Sequence, residues 1–138
     1  MTNYLLDTNV VSNLMRITPN QFIIEKWSAL EDQCAIAAIT WHELLFGMHR
    51  MPESKRKQQY AAFLTEFGNG ILILPYTLTE SQWHAEERAR LMAIGKPSAY
   101  ADGQIAAIAV RNNLTLVTAN TQDFAAFNRL RLENWFSR

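Results

Sequence analysis

The sequence predicts an α/β fold, a three-layer sandwich in which a mainly parallel sheet of four to five strands is covered by helices on both sides. Two observations lead to this prediction. Short apolar runs of strand length alternate with longer segments in which apolar residues recur every three to four positions. The runs are apolar throughout rather than at every second residue, which is typical of strands buried on both faces of a parallel sheet.

The N-terminal half contains two apolar runs, each followed by segments with helical periodicity. Polar capping residues or prolines, which favour the first turn of a helix, precede the helical segments. The elements predicted here are a strand at 4–6, a helix from 10 to about 15 that Asn9 could cap, a helix from 19 to 30, a strand at 35–39, a helix from 40 to 48 and a helix from 52 to about 68.

The C-terminal half repeats this alternation. Pro75 stops the third apolar run, and Gly95 and Pro97 close the long helix that follows. The next helix is rich in alanine, so its buried face must pack closely. The elements predicted here are a strand at 71–74, a helix from 78 to 94, a helix from 101 to 111, a strand at 115–118, a short helix from 122 to 128 and a last extended piece near 130–133.

Length and composition indicate one domain over residues 1–138, without repeats or linkers. Thirteen Lys and Arg balance thirteen Asp and Glu, so the chain as a whole does not attract a polyanion. Any contact with nucleic acid must therefore be local. The candidates, which solvated helix surface explains about as well, are Arg50, Lys55, Arg56 and Lys57, then Arg88, Arg90 and Lys96.

Cysteine content and hydropathy bear on the compartment. Cys34 is the only cysteine, so a disulfide within one chain is impossible. The N-terminus lacks a basic segment followed by an apolar one, and no apolar run approaches the roughly 20 residues that cross a bilayer. We therefore expect a cytoplasmic protein without a membrane segment.

Oxygen-bearing side chains cluster near the ends of the predicted strands. Asp7 ends the first strand, Glu43 is expected in the first turn of the helix after the second, and Asp102 starts the helix before the fourth. Asn120 and Asp123 follow the fourth strand directly. Because the carboxyl ends of parallel strands meet at one edge of a sheet, these five side chains are expected to project from the same edge.

Such a cluster favours a bound cation. Carboxylates within about 4–6 Å raise one another's pKa unless a cation neutralises them. Oxygen ligands favour hard ions, and the chain has no cysteine cluster, calcium loop or H-E-x-x-H motif. Mg²⁺ or Mn²⁺ fits best, held by a few carboxylates and water.

Each acidic residue also has a structural explanation. The segment from Thr40 to Glu43 matches a capping box, in which the glutamate bonds back to the capping residue. Asp102 could be an acidic first-turn residue, and Asp7 part of a turn and cap. Gly103 favours a functional explanation, since a glycine inside a helix is unfavourable unless something requires close approach to the backbone.

Four segments carry a family resemblance: LLDTNVVS, AAITWHELLFG, ADGQIAAIAV and LVTANTQDF. They resemble the PIN-domain family, and most closely its VapC-like toxins from bacterial toxin–antitoxin pairs. The segments occur in family order over nearly the whole chain, and the length fits one PIN domain. The resemblance implies the parallel-sheet sandwich and a metal-dependent endoribonuclease activity, in which a metal-activated water attacks an RNA phosphodiester.

The resemblance also implies roles for individual residues. Asp7, Glu43 and Asp102 match the first three acidic positions of the family, whereas the fourth is Asn120, where many members carry Asp. Asp7 and Asp102 are then direct metal ligands and Glu43 a ligand or a water-orienting base, with Asn120 and Asp123 in support. One firmly bound ion is the resulting expectation. The neighbouring hydroxyls of Thr8 and Thr118 could position water or phosphate.

Partners follow from the same resemblance: an RNA substrate, a cognate antitoxin that covers the acidic cleft, a second copy in a homodimer, and operator DNA only through the antitoxin. Two other functions stay open. One is a Mg²⁺-binding signalling module without catalysis, similar to a receiver domain, although TANTQDF lacks the lysine expected there. The other is a PIN-domain scaffold that has lost catalysis through Asn120.

Overall fold

The structure, a computed structural model, describes residues 1–138 and confirms the predicted α/β sandwich. Its strands are β1 (Tyr4–Leu6), β2 (Cys34–Ala37), β3 (Leu72–Leu74), β4 (Thr115–Val117) and β5 (Arg131–Glu133). They form one sheet in the order β3-β2-β1-β4-β5, and every neighbouring pair is parallel. The predicted C-terminal extended piece is therefore a true edge strand.

Seven helices cover the two faces of this sheet. They are α1 (Thr8–Leu14), α2 (Gln21–Leu30), α3 (Ala38–His49), α4 (Lys55–Gly70), α5 (Leu78–Ala93), α6 (Tyr100–Arg111) and α7 (Thr121–Phe124), with a 3₁₀ turn at Glu31–Gln33. None of them is both long enough and apolar enough to span a membrane.

Two apolar cores lie on opposite faces of the sheet. Leu5 and Leu116 belong to the core under α5, α6 and α7, whereas the next residues, Leu6 and Val117, belong to the core under α1 to α4. Successive side chains of a strand point to opposite faces, so continuous apolar runs supply both cores. This is the physical reason that the strands could be recognised in the sequence.

Several predicted helix starts are displaced by capping side chains. The Asn20 side chain accepts hydrogen bonds from the backbone N–H groups of Phe22 and Ile23, so α2 begins at Gln21 rather than at Pro19. Ser54 caps α4 in the same way. Proline preference was the weaker signal in both places. The helix predicted from 122 to 128 is only the single turn Thr121–Phe124.

The largest correction concerns the boundary between β2 and α3. The strand predicted at 35–39 ends at Ala37, and α3 begins at Ala38 without a side-chain cap. Thr40 is therefore a buried residue inside the helix rather than its cap, and Glu43 lies beyond the first turn. The capping box of this fold is instead formed by Thr77 and Glu80 at the start of α5.

Candidate active site

Asp7 is the most firmly held of the predicted site residues. It follows β1 directly, is only 7% exposed, and caps α1 in place of the predicted Asn9. Its Oδ1 accepts a hydrogen bond from the Thr8 backbone N–H at 2.8 Å. Its Oδ2 accepts from the Thr118 hydroxyl at 2.8 Å and from the Asn9 amide at 3.2 Å. Donors on both oxygens fix the orientation of this carboxylate.

Thr118 and Asn9 connect the ends of β1 and β4 beneath this carboxylate. The fully buried Thr118 hydroxyl also accepts from the Asn120 backbone N–H at 3.0 Å. The Asn9 side-chain oxygen accepts from the Ala119 backbone N–H at 3.1 Å. Sequence reasoning gave Asn9 only a capping role and thereby missed this link. Its position immediately after a strand-end aspartate was the available signal.

Asp102 lies in the first turn of α6 and is partly buried. Burial, and then the negative charges of Asp7 and Asp123, raise the pKa of its carboxyl group above the ordinary value. Asp7 and Asp123 therefore lie close enough to Asp102 for their charges to act on its carboxyl group. Their mutual repulsion is the property that a cation would relieve.

Asp123 and Asn120 lie beside this group on the solvent side. Both are exposed, and the Asp123 backbone N–H donates to the Asn120 carbonyl at 3.0 Å. The Asn120 side chain makes no capping bond, although Asn120 precedes α7. Asp102 and Asp123 share a cavity of about 680 Å³ with Lys96 and Ser98.

Glu43 occupies a different position. It is exposed on α3 and lines a separate cavity of about 380 Å³ together with Thr8, the neighbour of Asp7. It belongs to no ion pair, and its charge is not among those that raise the pKa of Asp102. Because Thr40 is not a cap, the capping-box explanation of Glu43 is wrong.

The predicted ligands do not form a closed cage. No group of three or more His, Cys, Asp or Glu side chains lies close enough to hold one ion together. Magnesium commonly keeps several waters and binds proteins through one or two carboxylates, so a cage is not required. The assignment of Asp7, Asp102 and Glu43 as metal ligands stays a prediction.

Gly103, next to Asp102, packs directly against His84 of α5. A Cβ at this position would overlap His84 Nε2 and would lie 2.6 Å from its Cδ2. His84 is 2% exposed, and its Nδ1 shares a 2.8 Å hydrogen bond with the Tyr76 hydroxyl. Burial, followed by the charge of Arg88, lowers the pKa of His84. Close approach to the backbone, expected from a glycine within a helix, is confirmed, but the approaching group is the His84 ring, so packing explains Gly103 without a ligand.

Several basic residues singled out in the sequence are engaged within the protein. Lys57 pairs with Glu53 at 2.7 Å, and Arg90 pairs with the buried Glu87 at 2.8 Å. Arg56 donates to the Met15 carbonyl at 3.0 Å. Of these predicted contact groups, Lys96 is the one that lines the acidic cavity.

Comparisons with known proteins agree with this architecture. The PIN domain family matches residues 4–130. The VapC ribonuclease Y4jK of Sinorhizobium fredii is 33% identical over 88% of this chain and 90% of its own length. The tRNA(fMet)-specific endonuclease VapC of Shigella flexneri is 27% identical over 98% of this chain and 99% of its own length.

A solved structure gives the same result in three dimensions. The crystal structure of VapBC2 from Rickettsia felis, bound to a DNA fragment from the promoter, superposes with a TM-score of 0.84. The two chains are 29% identical, and the match covers 97% of this chain and 99% of the other. The family match spans four of the five strands and all seven helices, and the four sequence segments lie within it. The chain belongs to the PIN domain family.

Proposed function

We propose that this protein is an endoribonuclease, the toxin of a toxin–antitoxin pair, which hydrolyses RNA phosphodiester bonds by a metal-activated water. One observation carries the proposal: the buried Asp7, hydrogen-bonded on both oxygens, lies at the carboxyl edge of a parallel sheet, close enough for its charge to act on Asp102. Relatives named ribonuclease VapC and tRNA(fMet)-specific endonuclease VapC support the reaction class.

The donor chemistry at this edge fits Mg²⁺ or Mn²⁺. The donors are carboxylate oxygens, which hard ions prefer. Burial is the largest cause of the raised pKa of Asp102, and repulsion from Asp7 and Asp123 adds to it. Asp7 and Asp102 would hold the ion, with Glu43 as a third ligand or the base that orients the water. When bound, such an ion supplies a more acidic water and neutralises charge on the phosphoryl oxygens.

The protein's own residues prepare this chemistry. Thr118 and the Thr8 backbone N–H fix both oxygens of Asp7, so its orientation is set before the substrate arrives. Glu43 has no such restraint and can turn toward a substrate or a water. Asn120 offers an amide oxygen without a negative charge, which favours a single firmly held ion. Asp123 adds negative charge through solvent.

The proposed partners follow from the relatives. The structures of VapBC2 from Rickettsia felis and of FitAB were solved bound to DNA fragments, and VapBC-5 from Mycobacterium tuberculosis is described as a member of the VapBC family of toxin–antitoxin systems. We therefore assign this chain a protein antitoxin, with operator DNA reached only through the antitoxin, and the family resemblance adds homodimeric assembly to the proposal. The proposed compartment is the cytoplasm.

The decisive experiment compares Asp7→Asn and Asp102→Asn with the wild type. Both variants should stay folded by circular dichroism, while RNA cleavage in Mn²⁺ and growth arrest on expression should disappear. Asp32→Asn, an exposed aspartate on the 3₁₀ turn, is the matched control and should cut RNA normally. Wild-type cleavage should stop with EDTA.

Two results would contradict the proposal. A folded Asp7→Asn variant that still arrests growth would separate toxicity from this site. Wild-type protein that binds Mn²⁺ by calorimetry but cuts no RNA would favour the Mg²⁺-binding module or the scaffold. Mapping the cut ends across total cellular RNA would then identify the substrate.

A further inference from the structure

Three arginines converge at the edge of the sheet opposite the candidate active site. Arg111 ends α6, Arg129 precedes β5, and Arg131 begins β5. With Asn113 they line a cavity of about 320 Å³, whose other lining residues are apolar and include no carboxylate. In a chain with zero net charge, this arginine pocket is a local concentration of positive charge.

Arg131 is held in place by neutral groups rather than by an acid. Its guanidinium donates to the Asn113 side-chain oxygen at 3.1 Å, to the Asn113 carbonyl at 3.0 Å and to the Thr115 hydroxyl at 3.4 Å. These bonds fix its orientation but leave its charge uncompensated. A fixed guanidinium loses little freedom when an anion binds beside it.

Arg129 has an unusual backbone. The chain's two non-glycine residues with positive φ are Asn113 at 58° and Arg129 at 66°, and both line this pocket. Asparagine tolerates the left-handed region, whereas arginine pays a steric penalty there. The backbone preference therefore does not explain an arginine at position 129, whereas its place in the lining of this pocket is consistent with a role for its side chain.

Arg111 and Arg129 are also free of ion pairs. The side-chain ion pairs of the molecule join Lys57 to Glu53, Arg90 to Glu87 and Arg138 to Glu25. Arg111 acts only weakly on Glu80. Burial raises the pKa of Glu80, but hydrogen bonds from Thr77 and Thr79 and, last, the charge of Arg111 lower it below the ordinary value. That carboxylate is already bonded to hydroxyls and does not neutralise the pocket.

We infer that the arginine pocket binds a phosphate group, and that its ligand is a phosphodiester of single-stranded RNA. Converging guanidinium groups match the oxygens of phosphate, to which they donate paired hydrogen bonds. Arg111 follows Asp102 by nine residues on α6, about 14 Å along the helix axis. An RNA strand long enough to reach from the candidate active site to the arginine pocket would therefore be bound at a second point, distant from the phosphodiester that is cut. This ligand assignment rests on the proposed function, whereas phosphate binding does not.

The test measures RNA binding without cleavage. Asp7→Asn protein in EDTA is titrated into a fluorescent single-stranded RNA at several salt concentrations. In this background, Arg111→Gln with Arg129→Asn removes two charges from the pocket, and asparagine suits the left-handed backbone at position 129. Arg16→Gln with Lys26→Gln removes two exposed charges elsewhere and is the matched control.

The pocket variant should bind RNA at least about 10-fold more weakly than the control variant. Its slope of log affinity against log salt should fall by about 0.7 for each phosphate that the pocket no longer neutralises. Equal affinities in the two variants would overturn the inference.

A second measurement distinguishes the sources of the phosphate. Inorganic phosphate is titrated while the arginine Nε–H signals are followed by NMR, and the signals of Arg129 and Arg131 should shift. If phosphate shifts them but RNA affinity is the same in the pocket and control variants, the ligand is a small phosphorylated molecule, and the RNA assignment is wrong. Absence of RNA cleavage by the wild type, with intact pocket binding, would count against the proposed function alone.

Discussion

The Asp7 and Glu43 sides of the candidate site differ in how firmly their carboxylates are held. Asp7 is buried at a strand end and accepts hydrogen bonds on both oxygens. Glu43 is exposed on a helix and lies in another cavity. Hydrogen-bonded side chains keep their geometry without a ligand, whereas an exposed side chain must be ordered by what it binds. The Asp7 side is thus a prearranged half of the site, and the Glu43 side a half that a ligand must complete.

The largest expected effect is a difference in RNA cleavage rate between variants of these two carboxylates. Asp7→Asn should lower the RNA cleavage rate by more than about 100-fold, because the prearranged carboxylate, the proposed metal ligand, loses its negative charge. Glu43→Gln should lower it by about 10-fold, because Glu43 is exposed and unrestrained, and the prearranged Asp7 side of the site stays intact. Single-turnover cleavage at saturating Mn²⁺ measures both. Equal losses of rate would show that Glu43 is as essential a ligand as Asp7.

The position of Asp102 should depend on the packing of α6 against α5, rather than on hydrogen bonds to its carboxylate. In Gly103→Ala, the new methyl group overlaps the His84 ring, so α6 or His84 must shift. We expect a loss of about 1–3 kcal/mol in the free energy of unfolding, typical of overpacking, together with weaker Mn²⁺ binding. Urea unfolding and metal titration measure the two effects.

A second substitution gives this prediction its control. His84→Ala in the Gly103→Ala background vacates the space that the methyl group needs, so Mn²⁺ affinity should partly recover. The double-mutant cycle should then show a coupling of about 1 kcal/mol or more in stability. Strictly additive effects would mean that the contact between His84 and Gly103 does not position the Asp102 turn.

The contrast between Asp7 and Glu43 also shows what the sequence could predict. The strands, their parallel arrangement and the position of Asp7 follow from continuous apolar runs and from the rule that sites form at strand carboxyl ends. The start of α3 could not be predicted in this way. An uncapped helix that begins at Ala38 leaves no local signal, and Thr40 resembled a cap. The contact between His84 and Gly103 joins residues 19 positions apart, and only the packing of α5 on α6 reveals it.

A smaller effect should follow from the hydroxyl that holds Asp7. Thr118→Val keeps the shape of the side chain but removes the donor to Asp7 Oδ2 and the acceptor for the Asn120 N–H. Loss of such a supporting bond typically lowers metal affinity by about 10-fold. Thr118→Ser should retain the affinity, and Thr18→Val, on the exposed surface, should leave it unchanged. Calorimetry with Mn²⁺ would contradict the role if valine and serine behaved alike.

The smallest effect should appear in stability without metal. The folded-state pKa of Asp102 is raised by burial and then by Asp7 and Asp123, so the folded protein binds a proton more tightly than the unfolded chain. Stability should therefore fall as pH rises from the ordinary aspartate range through the raised value, and ionised Asp102 should oppose folding at pH 7. Asp102→Asn removes this repulsion and should raise the metal-free Tm at pH 7 by about 1–3 °C.

Added Mn²⁺ should reverse the order of the two Tm values, so that the wild type becomes more stable than Asp102→Asn. A cation turns the repulsion among Asp7, Asp102 and Asp123 into attraction, so the wild type should gain Tm on addition of metal, whereas Asp102→Asn should gain little. Thermal scans of both proteins between pH 4 and pH 8, with and without Mn²⁺, measure this exchange. If Asp102→Asn lowered the metal-free Tm at pH 7, the carboxylate would be supporting the fold, and the negative charge at this edge would not be strain that a cation relieves.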